Sequence, residues 1–270
     1  MGQKLKFDLE KNSIVCGDCC NEEGEGWLNF IPDNSVDLIY IDPPFFSNKN
    51  YEIVWGNGFE VRSFGDRWKG KVEHYIEWMR PKLREAKRIL RNTGSIFLHC
   101  DWHASHRLRY LMDEVFSEKN FRNEIIWHYG ERMMGRSNFF DRKHDNILFY
   151  SKWKNKFYGY KEKYSLDEIR SWRGTKFDKN GEYTLRDGGK GKPRYKAYIK
   201  DIQKKGRAVS DVWDIKILGS ASKERIGYKT QKPEKLINRI VKCASKQGDL
   251  ILDFFGGGGT TAKVCSDLNR

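Results

Sequence analysis

Two short stretches hold residue types and spacings that could do chemistry. The first is Asp42-Pro43-Pro44-Phe45, which ends the apolar run Ile39-Tyr40-Ile41 and places two of the chain's six prolines side by side. It sets a carboxylate, a twice-stiffened backbone and an aromatic ring at one rigid corner, because proline fixes φ near −65°. The corner follows a strand, and open parallel sheets bind ligands at the carboxyl ends of their strands. A turn capped by Asp is the plainer alternative. The second stretch is Asp253-Phe254-Phe255-Gly256-Gly257-Gly258-Gly259-Thr260-Thr261. A strand, an acid, a glycine loop and a helix start form a nucleotide-cofactor pattern. Glycines let the backbone approach a ligand, and Asp253 can accept from a cofactor amine or hydroxyl. The run is neither GxGxxG nor GxxxxGK[ST], which argues against a nicotinamide and against a phosphate cradle. An ordinary glycine-rich turn stays open.

The elements around these stretches follow from periodicity. Ser13 to Cys16 reads as a short buried strand, and Val36 to Ile41 as a second. Residues 46–70 lack a clear period and read as a long loop. Glu73 to Leu90 has helical apolar spacing, closed by Asn92-Thr93-Gly94. Ser95 to His99 is a strand, Ala104 to Phe116 a helix, and Glu124–Tyr129 and Asn146–Tyr150 further strands. Pro233 opens a helix over Glu234 to Ala244, where proline suits the first turn. Leu250 to Asp253 is a strand, with a short helix after the glycines. Strands alternating with helices indicate a parallel α/β sheet.

The 270 residues carry a net charge of +14, and +11 of it lies in residues 151–210, where 18 Lys/Arg face 7 Asp/Glu. Ten aromatic residues interleave with those charges, among them Trp153, Tyr164, Trp172 and Tyr195. That mixture suits a polyanion with stackable bases, or else a solvated lysine-rich face. No apolar run approaches the roughly 20 residues of a membrane span, and the start MGQKLKFDLEK is no signal peptide. A cytoplasmic protein without a membrane partner is expected. Six cysteines form no spaced disulfide framework, and Cys16-x-x-Cys19 lacks the second pair that a zinc site needs, so no metal is expected.

Together the two motifs resemble the beta-class amino-methyltransferases of DNA, the S-adenosylmethionine-dependent group that methylates exocyclic amines. The resemblance covers nearly the whole chain. Asp42-Pro43-Pro44-Phe45 matches the family's catalytic motif. Asp253 to Thr261 is similar to its cofactor loop, whose third glycine position is more often serine. Thr230-Gln231-Lys232-Pro233 matches the segment before the cofactor strand, and Gly17-Asp18 the end of the strand beside the cofactor adenine. His99-Cys100-Asp101-Trp102-His103 and Lys143-His144-Asp145-Asn146 look like family segments without an assigned role. The order of catalytic motif, basic insertion, then cofactor loop marks the beta class.

The resemblance implies a permuted Rossmann-like methyltransferase sheet with an inserted basic target-recognition region. Residues 1–130 would be the catalytic half, 131–210 the insertion and 211–270 the cofactor-binding half. It implies Asp42, Pro43, Pro44 and Phe45 as catalytic residues. Asp253, Phe254, Phe255, Gly256, Gly258, Thr260, Asp18 and Lys232 would bind S-adenosylmethionine, and Lys190, Lys192, Arg194 and Lys196 would bind DNA. The substrate would be double-stranded DNA with its target base flipped out. A homodimer and a cognate restriction enzyme are the further partners it suggests. The acidic Asp42 resembles adenine-N6 enzymes more than cytosine-N4 enzymes. A catalytically impaired DNA-binding homologue or fragment, an RNA methyltransferase and an N4-cytosine enzyme stay open. Family members continue past the helix after the glycine loop into one more strand, so the family's C-terminal strand is expected to be missing from these 270 residues.

Overall fold

The computed structural model describes residues 12–46, 50–55, 60–65, 72–130, 135, 138–154 and 156–270, with backbone alone for 50–55, 60–65, 172 and 173. Its elements in the first part of the chain are β1 (Val36–Ile41), β2 (Asn50–Trp55), β3 (Glu60–Gly65), α1 (Val72–Ile89), β4 (Leu90–Cys100), α2 (Ser105–Phe116), β5 (Phe121–His128) and β6 (His144–Ser151). Then come β7 (Lys161–Glu162), α3 (Leu166–Arg173), β8 (Lys176–Asp178), β9 (Gly181–Arg186), β10 (Tyr195–Tyr198), α4 (Ile199–Lys205) and β11 (Arg207–Ala208). The chain closes with β12 (Val212–Asp214), α5 (Glu234–Ala244), β13 (Ile251–Leu252) and α6 (Thr260–Asp267).

A six-stranded sheet in the order β12-β5-β6-β4-β1-β13 organises the larger part of the chain. β1 runs parallel to both β4 and β13, and β12 parallel to β5, while β6 runs against β4 and β5. All six residues of β1 are buried, as a central strand covered on both faces requires. Side chains alternate across the sheet. Ile39, Ile41, Ile96, Leu98, Leu148 and Tyr150 pack on one face with Tyr75, Met79, Leu83 and Ala86 of α1 and Leu108, Leu111 and Met112 of α2. Leu38, Tyr40, Phe97 and Phe149 are buried on the other face, where α5 packs against β4 and α6 against α5. The stripe Leu236, Ile237, Ile240, Val241, Ala244 gives α5 its buried side. Asp37 fastens the β13 edge: it accepts from the Leu250 N–H at 3.1 Å and from Arg91 Nη1 at 3.0 Å. Among the described residues no helix is long and apolar enough to cross a membrane.

Three expectations change. Ser13 to Cys16 is not a buried strand; Ile14 is 94% exposed. Among the described residues β13 is the sheet edge on that side, and this stretch does not pair with it. The expected 46–70 loop contains an antiparallel hairpin, β2 with β3, registered from Asn50↔Gly65 to Trp55↔Glu60. The hairpin suits Tyr51, Ile53 and Trp55 alternating ahead of Gly56-Asn57-Gly58, a turn-forming composition. The remainder of that loop (47–49, 56–59, 66–70) and the N-terminal MGQKLKFDLEK lie outside the described residues. The insertion, expected over 131–210, forms a compact unit only from Gly159 to Ser210. The reason is β6, which is hydrogen-bonded between β4 and β5 and so belongs to the main sheet.

Within the smaller unit, β8, β9 and β10 form an antiparallel sheet and β7 pairs with β11. Ile169, Ile199 and Ile202 make its small core. Ser165 caps α3 by accepting from the Glu168 N–H at 3.0 Å.

Candidate active site

The sheet brings two distant acids together. β1 and β13 are hydrogen-bonded parallel neighbours with Ile39 opposite Leu252, so both run out at the same end. Asp42 follows β1, and Asp253 follows β13. They line one open cleft together with Tyr40, Tyr228, Thr230, Gln231, Lys232, Phe255, Gly256–Gly258, Thr260 and Thr261. Lys232, from the segment that leads into α5, donates to Asp42 Oδ2 and lies 5.1 Å from the centre of the Phe45 ring. Each carboxylate oxygen has two lone pairs, so Asp42 keeps acceptor capacity beside this ion pair.

The glycine loop is shaped by Asp253. Its Oδ2 accepts from Thr261 Oγ1 at 2.6 Å and its Oδ1 from the Phe255 N–H at 3.0 Å, which ties the loop to the first turn of α6. Burial raises the Asp253 carboxyl from the usual 3.8 to about 6, against the lowering effect of those hydrogen bonds. Gly257 and Gly259 have φ of +49° and +77°, which disfavours any side chain there. Gly258 is different: a Cβ would meet Ile226 and Tyr228 at 3.4 Å, an ordinary contact. The serine that the resemblance leads one to expect at this position would fit.

Below Asp42 lies a buried polar network that the sequence did not reveal. β4 pairs Leu98 with Ile41, so His99 comes level with Asp42. His99 is fully buried. Its Nδ1 is 3.1 Å from Tyr40 Oη and 3.8 Å from Asp42 Oδ1, and its Nε2 is 3.1 Å from Asp145 Oδ2. Tyr129 donates to the other oxygen of Asp145 at 2.9 Å. Burial opposes the charge on Asp145, but the His99 hydrogen bond, nearby Lys232 and Tyr129 outweigh it and hold the carboxyl below its usual range. Tyr40 is pushed well above the usual phenol range by burial and by the carboxylates around it, so it remains a donor. With Asp145 accepting and Tyr40 donating, His99 carries its proton on Nε2 and a lone pair on Nδ1. The Phe45 ring tilts over His99 at 5.5 Å and Trp127 meets its edge at 5.3 Å.

Of the expected site residues, Asp42, Lys232, Asp253, Phe255, Gly256, Gly258 and Thr260 meet in the cleft. Pro43 is buried, and Pro44 and Phe45 are half-buried beside it. Phe46 packs on Tyr75 in the core at 6.2 Å. Phe254 turns inward and is 7% exposed. Asp18 is exposed, accepts from the Cys20 N–H at 3.2 Å, and is absent from the cleft lining. Lys190, Lys192 and Arg194 sit exposed between β9 and β10, whereas Lys196 on β10 is ion-paired with Asp178 at 2.7 Å. Sequence reasoning passed over Tyr228, His99 and Asp145. The family-like segments around His99 and Asp145 were the available signal, but 46 residues separate the pair and neither segment carried an assigned role.

Comparison with known proteins fits this geometry. The chain is 29% identical over 273 residues to the Type II methyltransferase M.HinfI of Haemophilus influenzae, covering 96% of this chain and 63% of that protein. It is 25% identical over 268 residues to the DNA adenine methyltransferase YhdJ of Escherichia coli (strain K12), covering 99% of this chain and 79% of that protein. The chain thus spans less than two thirds of the length of M.HinfI. Among solved structures, the PvuII DNA methyltransferase (cytosine-N4-specific) shares the fold, with a TM-score of 0.54 at 13% identity over 90% of this chain and 76% of that one. The family model for DNA methylases matches residues 36–270, from the first residue of β1 through the Asp42 corner, the insertion and the glycine loop, and the chain belongs to that family.

Proposed function

We propose that this chain transfers a methyl group from S-adenosylmethionine to the exocyclic N6 amine of adenine in double-stranded DNA. The observation that carries the reading is one cleft holding both Asp42 and the Asp253 glycine loop. The cleft fits the cofactor's chemistry. Its two carboxylates suit a cationic ligand, the glycine loop leaves backbone free to approach it, and Tyr228 and Phe255 offer ring faces. Gly256 to Gly259, Asp253, Thr260, Thr261, Tyr228 and Phe255 would hold it. When bound, it supplies a methyl group on a positively charged sulfur.

An aromatic amine is a poor nucleophile because its lone pair is delocalised into the ring. The Asp42 carboxylate and the Pro43 carbonyl each accept one N–H, which draws the nitrogen toward tetrahedral geometry and localises the pair. The proline-fixed backbone has these acceptors in place beforehand. Phe45 stacks on the flipped base, a contact worth roughly 1–3 kcal/mol. Lys232, also in the cleft lining, donates to Asp42 Oδ2. Adenine is favoured over cytosine by the acid at position 42 and by the adenine activity that YhdJ is named for. The partners the resemblance implies, a cognate restriction enzyme and a second copy of the chain, go with this reading.

Nucleoside analysis of DNA incubated with the protein and S-adenosylmethionine tests it. N6-methyldeoxyadenosine is expected. N4-methyldeoxycytidine, or methylation of an RNA of the same sequence in preference to DNA, would overturn it.

A further inference from the structure

His99 and Asp145 do more than fill the core below the catalytic corner. A fully buried imidazole has one ring nitrogen committed to a carboxylate, and the other accepts from Tyr40 Oη at 3.1 Å and lies 3.8 Å from Asp42 Oδ1. The 3.8 Å from Nδ1 to Asp42 Oδ1 is about 1 Å beyond a hydrogen bond, a gap that a small movement closes. The groups around the imidazole are Tyr40 from β1 and Asp42 just after it, Asp145 from β6, Tyr129 after β5, and Lys232 across the cleft. Asp145 is held ionised at Nε2, Tyr129 fixes that carboxylate, and Asp42 lies on the Nδ1 side of the ring. No water-filled route is needed for a proton to pass from Asp42 to Nδ1.

We propose that the Asp145–His99 pair is a proton relay that takes, through Asp42, the proton leaving the target amine. The inference rests on the proposed methyl transfer. As the new N–C bond forms, nitrogen becomes positively charged. An N–H bond breaks, its electron pair stays on nitrogen, and the proton bonds to the Asp42 carboxylate. Tyr40 O–H turns away from Nδ1, the Asp42 O–H bond breaks in turn, its pair returns to Asp42, and the proton bonds to the freed Nδ1 lone pair. Asp42 is again an anion, and His99 is an imidazolium paired with Asp145. The proton returns through Asp42 to water when the product leaves. His99 acts on the substrate through Asp42, so it is a relay and positioning residue, and Asp145 sets its tautomer.

Asp145→Asn isolates the relay with little change in shape. The carboxamide N–H donates to Nε2, which moves the ring proton to Nδ1 and leaves no lone pair there for Asp42. His99→Gln is the second variant: it can still hydrogen-bond Asp145 but cannot take up a proton. Single-turnover methyl transfer to adenine-containing DNA is measured in mixtures of H2O and D2O, alongside cofactor and DNA affinity. The wild-type rate should curve with deuterium fraction, because two protons move. Both variants should fall about 100-fold, near the lower end of general acid–base effects, and show a linear dependence at affinities within about threefold. A structural role alone would lower the rate without changing that dependence. Rates within about threefold of wild type, or a curve of unchanged shape, would overturn the relay while leaving the methyltransferase reading intact. If Asp145→Asn does not fold, His99→Gln decides alone. A wild-type protein that methylates no DNA would remove both readings.

Discussion

Asp253 faces two demands that pull in opposite directions. It must hold the glycine loop through Thr261 and Phe255, yet burial penalises its charge and raises its carboxyl to about 6. The folded chain therefore binds that proton more tightly than the unfolded chain, where the usual value is 3.8. A raised carboxyl contributes stability below about pH 4 and loses it as pH rises through about 6. Relative to Asp253→Asn, the wild-type chain should lose up to about 3 kcal/mol across that window, since one pKa unit corresponds to about 1.4 kcal/mol. Urea unfolding of both proteins at pH 4.5 and pH 7 checks it, and parallel stabilities would contradict it. A cationic cofactor would restore the charge on Asp253, so the same acid links cofactor affinity to pH.

At the scale of the elements, what could be read from the sequence depended on how local the signal was. β1, β4 and α1 were legible because a mostly apolar run (Leu38 to Ile41, Ile96 to Leu98) or an i, i+3, i+4 stripe lies within one segment. Asp42 and Asp253 were legible because each ends such a run in a chemically distinctive motif. The His99–Asp145 pair was not, because only the antiparallel register of β6 on β4 brings the two together. Ser13 to Cys16 misled for the opposite reason. Four apolar-leaning residues look the same whether a neighbouring strand pairs with them or not, and here they are largely exposed. That exposure is testable. Ile14→Ala should change stability by less than about 0.5 kcal/mol, as for surface sites. Leu83→Ala, on the fully buried face of α1, should cost about 2–5 kcal/mol. Chemical unfolding of both variants measures this, and a comparable cost at Ile14 would restore the buried strand.

For the whole molecule, the basic charge and the carboxylate-lined cleft lie in different compact units. The Gly159–Ser210 unit has fifteen Lys/Arg against seven Asp/Glu, while the cleft with its carboxylates belongs to the larger unit. If the smaller unit binds DNA phosphates, Lys190, Lys192 and Arg194 are the cations to test, because Lys196 already pairs with Asp178. Their joint replacement by Gln should reduce the salt dependence of DNA affinity by about one unit of slope for each phosphate no longer neutralised. An unchanged slope in a fluorescence-anisotropy titration would make this cluster a solvated face.

The claim that joins the scales is that Asp42 accepts a hydrogen of the amine at the end of β1. Rapid-quench measurement of methyl transfer to adenine by wild type and Asp42→Ala tests it most directly, with cofactor and DNA affinities measured on the same preparations. Asp42→Ala should abolish transfer while both affinities stay within about threefold, because an interaction made only in the transition state lowers rate and not binding. A variant that keeps more than about a tenth of the wild-type rate, a loss below about 1.4 kcal/mol, would contradict the acceptor mechanism.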